Sequence, residues 1–117
     1  MQNLGVAFIM YPVADLARSV AYYSDVLGLR KAGLDSDFWV EFEIGATTFG
    51  IGNFPEAGAP GSAQSLAIEV ADLAAARAEL ASRGFASTEP YHFPNCAMSV
   101  TSDPDGNQIR LHQIKTQ

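Results

Sequence analysis

The chain is poor in cysteine and in basic side chains. Cys96 is its only cysteine, so no disulfide can form within the chain, and we expect a reducing, cytoplasmic location. Lys and Arg number 7 against 13 Asp and Glu, which gives a net charge of −6. Because the phosphates of nucleic acids attract basic surfaces, this balance predicts no nucleic-acid partner.

Long apolar runs are also missing. No stretch reaches the ~18 consecutive apolar residues that a membrane-spanning helix needs. The start of the chain, Met1–Asn3, has neither a basic region nor a hydrophobic signal segment. A hydrophobic share of 48% is typical of a globular protein. We therefore expect residues 1–117 to form a single domain with no membrane partner.

A short internal repeat organises the sequence. The pentapeptide Val-Ala-Asp-Leu-Ala occurs at Val13–Ala17 and again at Val70–Ala74. Each copy follows a strand-like run and opens an amphipathic helix, with Asp15 or Asp72 placed to accept from the free N–H groups of the first turn. A glycine suited to a left-handed C-cap ends each helix, at Gly28 and Gly84. The order of these signals predicts two equivalent modules.

Each half is expected to contain one strand, one helix and three further strands. In module 1, about residues 4–53, we predict strands at 6–12, 29–32, 38–44 and 47–52 and a helix at 16–27. A Pro- and Gly-containing linker covers about 54–63. In module 2, about residues 64–114, we predict strands at 64–69, 85–88, 97–101 and 107–113, a helix at 73–83, and a loop at 90–96.

Three motifs support a family resemblance. They are Val-x-Asp-Leu-x-x-Ser at residues 13–19, Tyr-x-x-x-Leu-Gly-Leu at 23–29, and Asp-Pro-Asp-Gly-Asn at 103–107. With two βαβββ modules, the chain resembles the vicinal oxygen chelate superfamily, which holds glyoxalase I, extradiol dioxygenases, fosfomycin resistance enzymes and bleomycin resistance proteins. The resemblance implies an α+β fold whose curled mixed sheets form a cup, with helices on the outer face, and it suggests a homodimer.

The resemblance also implies where metal ligands would lie. Metal-dependent members carry His or Glu on cup-facing positions of the first and last strand of each module, and here those positions hold Phe8, Gly50, Ser65 and Arg110. A divalent ion needs three or four N, O or S ligands, which this set does not supply. We therefore expect no metal, no cofactor and no catalytic residue, as in the metal-free bleomycin-resistance-type members.

Two alternatives concern catalysis. A metal-dependent lyase or dioxygenase of the same superfamily stays open if Glu41, Glu69 and His112 form an unusual ligand set. Cys96 would need a histidine to become a nucleophile, and His92 is four residues away. A small apolar residue in a loop is the favoured interpretation of Cys96.

Strand alternation predicts which side chains face the cup. Trp39, Glu41 and Glu43 alternate with the apolar set Phe38, Val40, Phe42 and Ile44, which we expect to face the helix. The alternative is that Glu41 and Glu43 face solvent and Trp39 packs in a dimer interface. The expected ligand-binding residues are Phe8, Met10, Trp39, Glu41, Gly50, Glu69, Arg110 and His112.

The cup composition suggests the ligand. Aromatic walls with carboxylates suit a cationic or aromatic small molecule, so the sequence predicts a metal-free protein that sequesters such a compound. If Trp39 lay elsewhere, the site would centre on Arg110 and His112 and would suit an anionic ligand instead.

Overall fold

The computed structural model describes residues 1–115, which form two four-stranded mixed sheets and two helices. The first sheet contains β1 (Ile9–Pro12), β2 (Arg30–Asp35), β3 (Trp39–Ile44) and β4 (Thr47–Gly52) in the order β1-β4-β3-β2. The second contains β5 (Leu66–Glu69), β6 (Tyr91–His92), β7 (Cys96–Ser102) and β8 (Gln108–Ile114) in the order β5-β8-β7-β6. The predicted tandem α+β arrangement is confirmed.

The two sheets have the same internal pairing. β1 runs parallel to β4, and β5 runs parallel to β8, while the other neighbours are antiparallel. A parallel pair needs a crossover connection, and a helix supplies it in each half. The shared strand order is what a repeated βαβββ module requires.

Both helices begin where the repeat predicts. α1 spans Leu16–Ala21 and α2 spans Leu73–Ser82. The Asp15 side chain accepts from the backbone N–H of Arg18 at 3.1 Å, and Asp72 accepts from Ala75 at 3.0 Å, so the expected equivalent N-caps are confirmed. Within the described residues, neither helix is long and apolar enough to span a membrane.

The end of the first helix differs from the expected regular helix to residue 27. After α1 the chain continues as a π-helical turn, Tyr22–Val26, in which the N–H of Leu27 bonds to the carbonyl of Tyr22 at 3.1 Å. The wider turn lets two consecutive tyrosines, Tyr22 and Tyr23, both point into the core. The apolar face therefore gains a residue that a 3.6-residue period does not assign to it.

The core joins the two modules. It is built from the helix-facing sides of both sheets, where Phe49 of β4 and Ile109 of β8 are fully buried. The Tyr11 hydroxyl accepts from the Leu66 N–H at 2.7 Å and donates to the Gln108 carbonyl at 2.6 Å. A side chain of the first module thus bridges two backbone groups of the second module.

The strand predicted at 85–88 is wrong. The short strand of this region is β6, inside the stretch expected to be a loop. Side-chain hydroxyls of β7 bond the backbone there instead: Thr101 donates to the Ala86 carbonyl at 2.8 Å, and Ser99 donates to the Thr88 carbonyl at 2.6 Å. A backbone bond from the Thr88 N–H to the Val100 carbonyl at 3.0 Å also joins the segment to β7, but hydroxyls take the place of further backbone partners and no regular ladder forms.

Candidate functional site

An aromatic cavity lies on the face of the first sheet opposite α1. Its volume is about 610 Å³, which is within the usual range of small-molecule pockets. Three of its lining residues are polar or acidic, namely Asp35, Ser36 and Glu41. The apolar lining consists of Phe8, Met10, Leu34, Phe38, Trp39 and Phe54.

Trp39 forms the floor of this cavity because two glycines face it on β4. In the β3–β4 register Trp39 is opposite Gly52, and Glu41 is opposite Gly50. A Cβ atom at Gly50 would overlap the indole ring, and one at Gly52 would lie 3.2 Å from it. The indole therefore occupies space that any other residue at these positions would fill, and only 9% of Trp39 is exposed.

Two phenylalanines pack against the indole, and a third packs against one of them. The Phe8 ring meets it edge-on with a centroid distance of 5.3 Å, and Phe54 lies 6.1 Å away in a tilted arrangement. Phe38 in turn packs edge-on against Phe54 at 6.3 Å. Such offset and edge contacts are the favourable geometries of aromatic pairs.

The placement of Phe38 corrects one prediction. Its side chain was expected to face the helix with Val40 and Phe42, but it is exposed and lines the cavity. β3 begins only at Trp39, and the Ser36 N–H bonds to the Trp39 carbonyl at 2.9 Å. This turn takes Phe38 out of the strand, so alternation does not apply to it.

Glu41 holds the indole in place. One carboxylate oxygen accepts from the Trp39 indole N–H at 2.9 Å, and the other accepts from the Leu34 backbone N–H at 3.0 Å. Gly33 allows this approach, because a Cβ atom there would overlap the carboxylate. The carboxylate thus ties β2 to the tryptophan and fixes the shape of the cavity.

The other polar groups of the cavity are already paired. Asp35 forms an ion pair with Lys31 at 2.6 Å. The Ser36 hydroxyl donates to the Trp39 carbonyl and accepts from its N–H, both at 3.1 Å. Among the lining residues that the structure describes, Glu41 is the acid without a cationic partner, so the cavity keeps a negative charge beside its aromatic walls.

The remaining predicted site residues lie on the second sheet. Glu69 of β5 is in register with His112 of β8, and its carboxylate lies 2.5 Å from the His112 Nδ1 atom. It also accepts from the Ile114 N–H at 2.8 Å. These two hydrogen bonds, led by the one from His112, lower the pKa of Glu69. Arg110 donates to the Gln64 carbonyl.

The eight expected residues therefore fall into two groups. Phe8, Met10, Trp39 and Glu41 line the aromatic cavity, and Gly50 lies beneath the indole. Glu69, Arg110 and His112 are on the other sheet and do not line that cavity. Glu43, also expected to face the cup, pairs with Arg30 outside it.

Sequence reasoning missed five residues of the cavity, namely Leu34, Asp35, Ser36, Phe38 and Phe54. Asp35 and Ser36 were assigned to a turn and Phe54 to the linker, and Leu34 lies beyond the strand predicted at 29–32, so alternation placed none of these side chains. One signal was available for Phe54, since it follows Gly52 closely, and an aromatic near side-chain-free strand positions can fold back over them.

The side chains present do not fit a divalent metal. Of the four positions that the family resemblance implies, only Ser65 has a side chain that can ligate a metal. Phe8 and Gly50 have no donor atom, and Arg110 is a cation. Nowhere in residues 1–115 do three His, Cys, Asp or Glu side chains come together as a ligand set. Glu41, Glu69 and His112 are therefore not brought together as the alternative ligand set within these residues.

The fold consists of two βαβββ modules, and in each a helix covers one face of the sheet and leaves the other face open. This arrangement is an α+β fold of two paired modules. The chain belongs to the Glyoxalase/Bleomycin resistance protein/Dioxygenase superfamily, whose family model matches residues 5–111. No curated protein matches the chain.

Solved structures share the fold over nearly the full length. TnmS3, an antibiotic binding protein from Streptomyces sp. CB03234, is 27% identical with a TM-score of 0.85, over 98% of this chain and 99% of that one. A glyoxalase/bleomycin resistance protein from the same source is 28% identical with a TM-score of 0.81, over 93% and 100%. Lactoylglutathione lyase from Agrobacterium tumefaciens, 18% identical over 97% and 96% with a TM-score of 0.79, shows the fold alone.

Proposed function

We propose that this protein binds and sequesters a small, flat aromatic compound without a metal. The observation that carries the proposal is the cavity of about 610 Å³ with Trp39 as its floor and phenylalanines as its walls. Its polar side chains already have partners within the protein, so a ligand needs few hydrogen bonds of its own. Stacking and apolar burial supply the affinity in such a site.

Similarity to an antibiotic binding protein supports the same function. TnmS3 is described as an antibiotic binding protein, and its chain matches this one from end to end. An antibiotic-type aromatic compound is therefore the ligand class that we propose here. Sequestration requires affinity alone and no reacting group, which agrees with a lining in which the Asp35, Ser36 and Glu41 side chains each have a structural partner.

Glu41 favours a cationic ligand over a neutral one. Its carboxylate has no cationic partner among the described residues, and it lies at the edge of the indole. A cation over the indole face would gain both the ring quadrupole and this charge. The finer proposal is accordingly a flat aromatic cation.

Quenching of the single tryptophan tests the pocket. We expect an aminoacridinium dye to quench Trp39 saturably, because it would stack on the only tryptophan of the chain. Measured by calorimetry, Trp39→Ala should weaken the binding of this dye by ~2- to 30-fold. This range corresponds to a stacking or cation–π contact of roughly 0.5–2 kcal/mol. Trp39→Phe keeps an aromatic face and should lose less. Equal affinity in all three proteins would sink the proposal.

A matched pair of carboxylates tests the charge preference. Glu41 and Glu43 share a face of β3, but Glu43 lies outside the cavity and pairs with Arg30. Glu41→Gln should weaken the binding of the aminoacridinium dye more than the binding of uncharged hydroxymethylanthracene. Glu43→Gln should weaken the binding of neither compound. If Glu41→Gln weakens both compounds equally, the carboxylate acts only by orienting the indole, and the cationic preference is wrong.

Metal-free binding is tested by thermal stability. A metal that binds only the folded state raises its stability by ~2.7 kcal/mol at a hundredfold excess over the dissociation constant. We expect zinc, nickel, iron and manganese to leave the Tm unchanged. An upward shift that a chelator abolishes would favour the metal-dependent lyase or dioxygenase instead.

We further propose a homodimer. Exposed large apolar side chains that do not line the Trp39 cavity occur on the second module, namely Tyr91, Phe93 and Ile114. Apolar surface of this kind is commonly covered by a partner chain. Sedimentation should give twice the chain mass of 12.5 kDa, and Phe93→Ser should shift the equilibrium towards the monomer. A single-chain mass at every concentration contradicts the dimer.

A cytoplasmic location is part of the same proposal. Cys96 is a free, partly buried thiol, and a reducing compartment keeps such a thiol unmodified. Fractionation of source cells tests it, and recovery of the protein outside the cytoplasm would contradict it.

A further inference from the structure

The edge strand β2 contains a wide bulge. Its ladder with β3 pairs Lys31 with Phe42 and Asp35 with Val40, and the register shifts between these two pairs. Over that interval β3 contributes one residue, whereas β2 contributes three, residues 32–34, which we call the bulge. Extra residues of this kind interrupt the ladder and have no cross-strand partner opposite them.

The Glu41 carboxylate holds the bulge from the side of β3. It accepts from the Leu34 N–H at 3.0 Å, and a Cβ atom at Gly33 would overlap it. Gly33 has a φ of 93°, in the left-handed region that favours glycine. The bulge therefore follows a path that a residue without a side chain takes most easily, and a side-chain hydrogen bond fixes it in place of ladder bonds.

Open space borders this part of β2 on both faces. On one face is the Trp39 cavity, which Leu34 lines. On the other face is a groove of about 500 Å³ beside α1, and Lys31 and Asp35, which flank the bulge, line that groove. Leu34 is 66% exposed although it lines the cavity. Few packing contacts therefore oppose a movement of the bulge.

The turn that follows the bulge is held more firmly. The Ser36 N–H and hydroxyl both donate to the Trp39 carbonyl, at 2.9 and 3.1 Å. Asn53 donates from its side chain to the Asp37 carbonyl and from its backbone to the Phe38 carbonyl, both at 3.2 Å. Movement is thereby confined to the bulge, which lies between a ladder pair on one side and this turn on the other.

We propose that the bulge is a gate that closes over a flat ligand in the Trp39 cavity and retains it, and so it rests on the function proposed for that cavity. In the closed state the Leu34 side chain leaves water and covers the ligand. Apolar burial favours closure when the cavity is occupied, because the ligand supplies the surface that Leu34 covers. Closure is a conformational step after encounter, and it slows release, the rate in which most differences in affinity arise.

Stopped-flow quenching of Trp39 by the aminoacridinium dye measures closure. We expect the observed rate to rise with dye concentration to a plateau, because a gate adds a first-order step after encounter. Leu34→Ala should keep the plateau and speed release about tenfold, the effect of losing roughly two buried CH₂ groups. Leu4→Ala removes an exposed leucine outside the cavity and should change neither rate. A linear dependence on dye concentration in the parent protein contradicts the gate.

A deletion variant separates a gate from a fixed wall. Removing the two extra residues, Gly33 and Leu34, gives β2 the same spacing between its paired residues as β3, so the register becomes continuous. We expect this variant to bind the dye in one step, with no plateau, and to release it faster than the parent protein. A plateau that persists in the variant contradicts the gate.

Hydrogen exchange tests the gate without a ligand, and it decides the question if the deletion variant fails to fold. We expect the Leu34 amide to exchange through a local opening that urea does not accelerate. The Ser36 amide, beyond the bulge, should exchange more slowly and through unfolding that urea accelerates. Equal exchange of the two amides would mean that the whole hairpin opens, and it overturns the gate. Absence of Trp39 quenching is a different result, which overturns the function proposed for the cavity and with it the retention of a ligand.

Discussion

At the scale of single residues, Tyr11 links the two modules through its hydroxyl. We expect Tyr11→Phe to lower the free energy of unfolding by about 1–3 kcal/mol, because a buried N–H of Leu66 and the Gln108 carbonyl lose their shared partner. Tyr91→Phe is the matched control, since the Tyr91 side chain is half exposed and makes no hydrogen bond among the described residues. Urea unfolding measures both. A loss of stability no larger than that of Tyr91→Phe would show that the Leu66 N–H and the Gln108 carbonyl find other partners without the hydroxyl.

The Glu69 carboxylate makes the stability of the fold depend on pH in the acidic range. Hydrogen bonds from His112 and from the Ile114 N–H lower the Glu69 pKa in the folded state. A lowered pKa stabilises the fold above the unfolded value of ~4.3, and this contribution disappears as the pH falls through the folded value below it. We expect Glu69→Gln to flatten the loss of stability between about pH 5 and pH 3. Glu56→Gln, at a side chain with no bond among the described residues, should follow the parent protein, and an unchanged acid slope in Glu69→Gln contradicts the assignment.

At the scale of elements, the β3–β4 pair makes the cavity floor. Gly50 has no left-handed φ, so alanine is tolerated by the backbone, but its methyl group would overlap the Trp39 indole. We expect Gly50→Ala to move the indole towards water, shift its emission to longer wavelength, and cost about 1–3 kcal/mol of stability. Trp39→Leu in the same chain should relieve the overlap and recover stability, a coupling that a double-mutant cycle measures. An unshifted emission spectrum would mean that the strand moves and the ring does not.

At the scale of the whole molecule, a buried aspartate couples the modules. Asp103 accepts from the Tyr23 hydroxyl at 2.7 Å, from Asn107 Nδ2 at 2.8 Å, and from two backbone N–H groups of its own turn. Burial raises the pKa of Tyr23, and the Asp103 carboxylate raises it further, so the phenol keeps its proton and donates. The helix of one module is thereby bonded to the turn of the other.

We expect the two modules to unfold together. Trp39 fluorescence reports the first module, circular dichroism reports both, and the two melting curves should coincide. Asp103→Asn places an amide donor among existing donors, so it should lower stability by about 3 kcal/mol and shift the Trp39 curve although the change is in the second module. Asp37→Asn, which removes the same charge from an exposed side chain, is the control. Separate transitions for the two probes would show independent modules.

The repeated order of strand, aspartate cap, helix and terminal glycine in the sequence was enough to predict the two-module fold. Asp15 and Asp72 specify helix starts through contacts three residues away, and strand alternation specifies that Trp39 and Glu41 share a face. These are local properties, so they can be predicted from spacing. The errors have the same origin. Phe38 lies just before its strand, where alternation no longer applies. Residues 85–88 are held by hydroxyls of β7, and local spacing carries no information on such contacts between separate segments.

Only the tertiary structure decided how the predicted site residues are distributed. Alternation assigns Glu41 and His112 each to the open face of its own sheet, but it carries no information on the relative position of two sheets. That position depends on core packing and on hydrogen bonds such as Tyr23 to Asp103, whose partners are far apart in the sequence. The structure therefore separated an aromatic cavity around Trp39 from a polar face around Arg110, because long-range packing places sheets and local patterns only orient side chains.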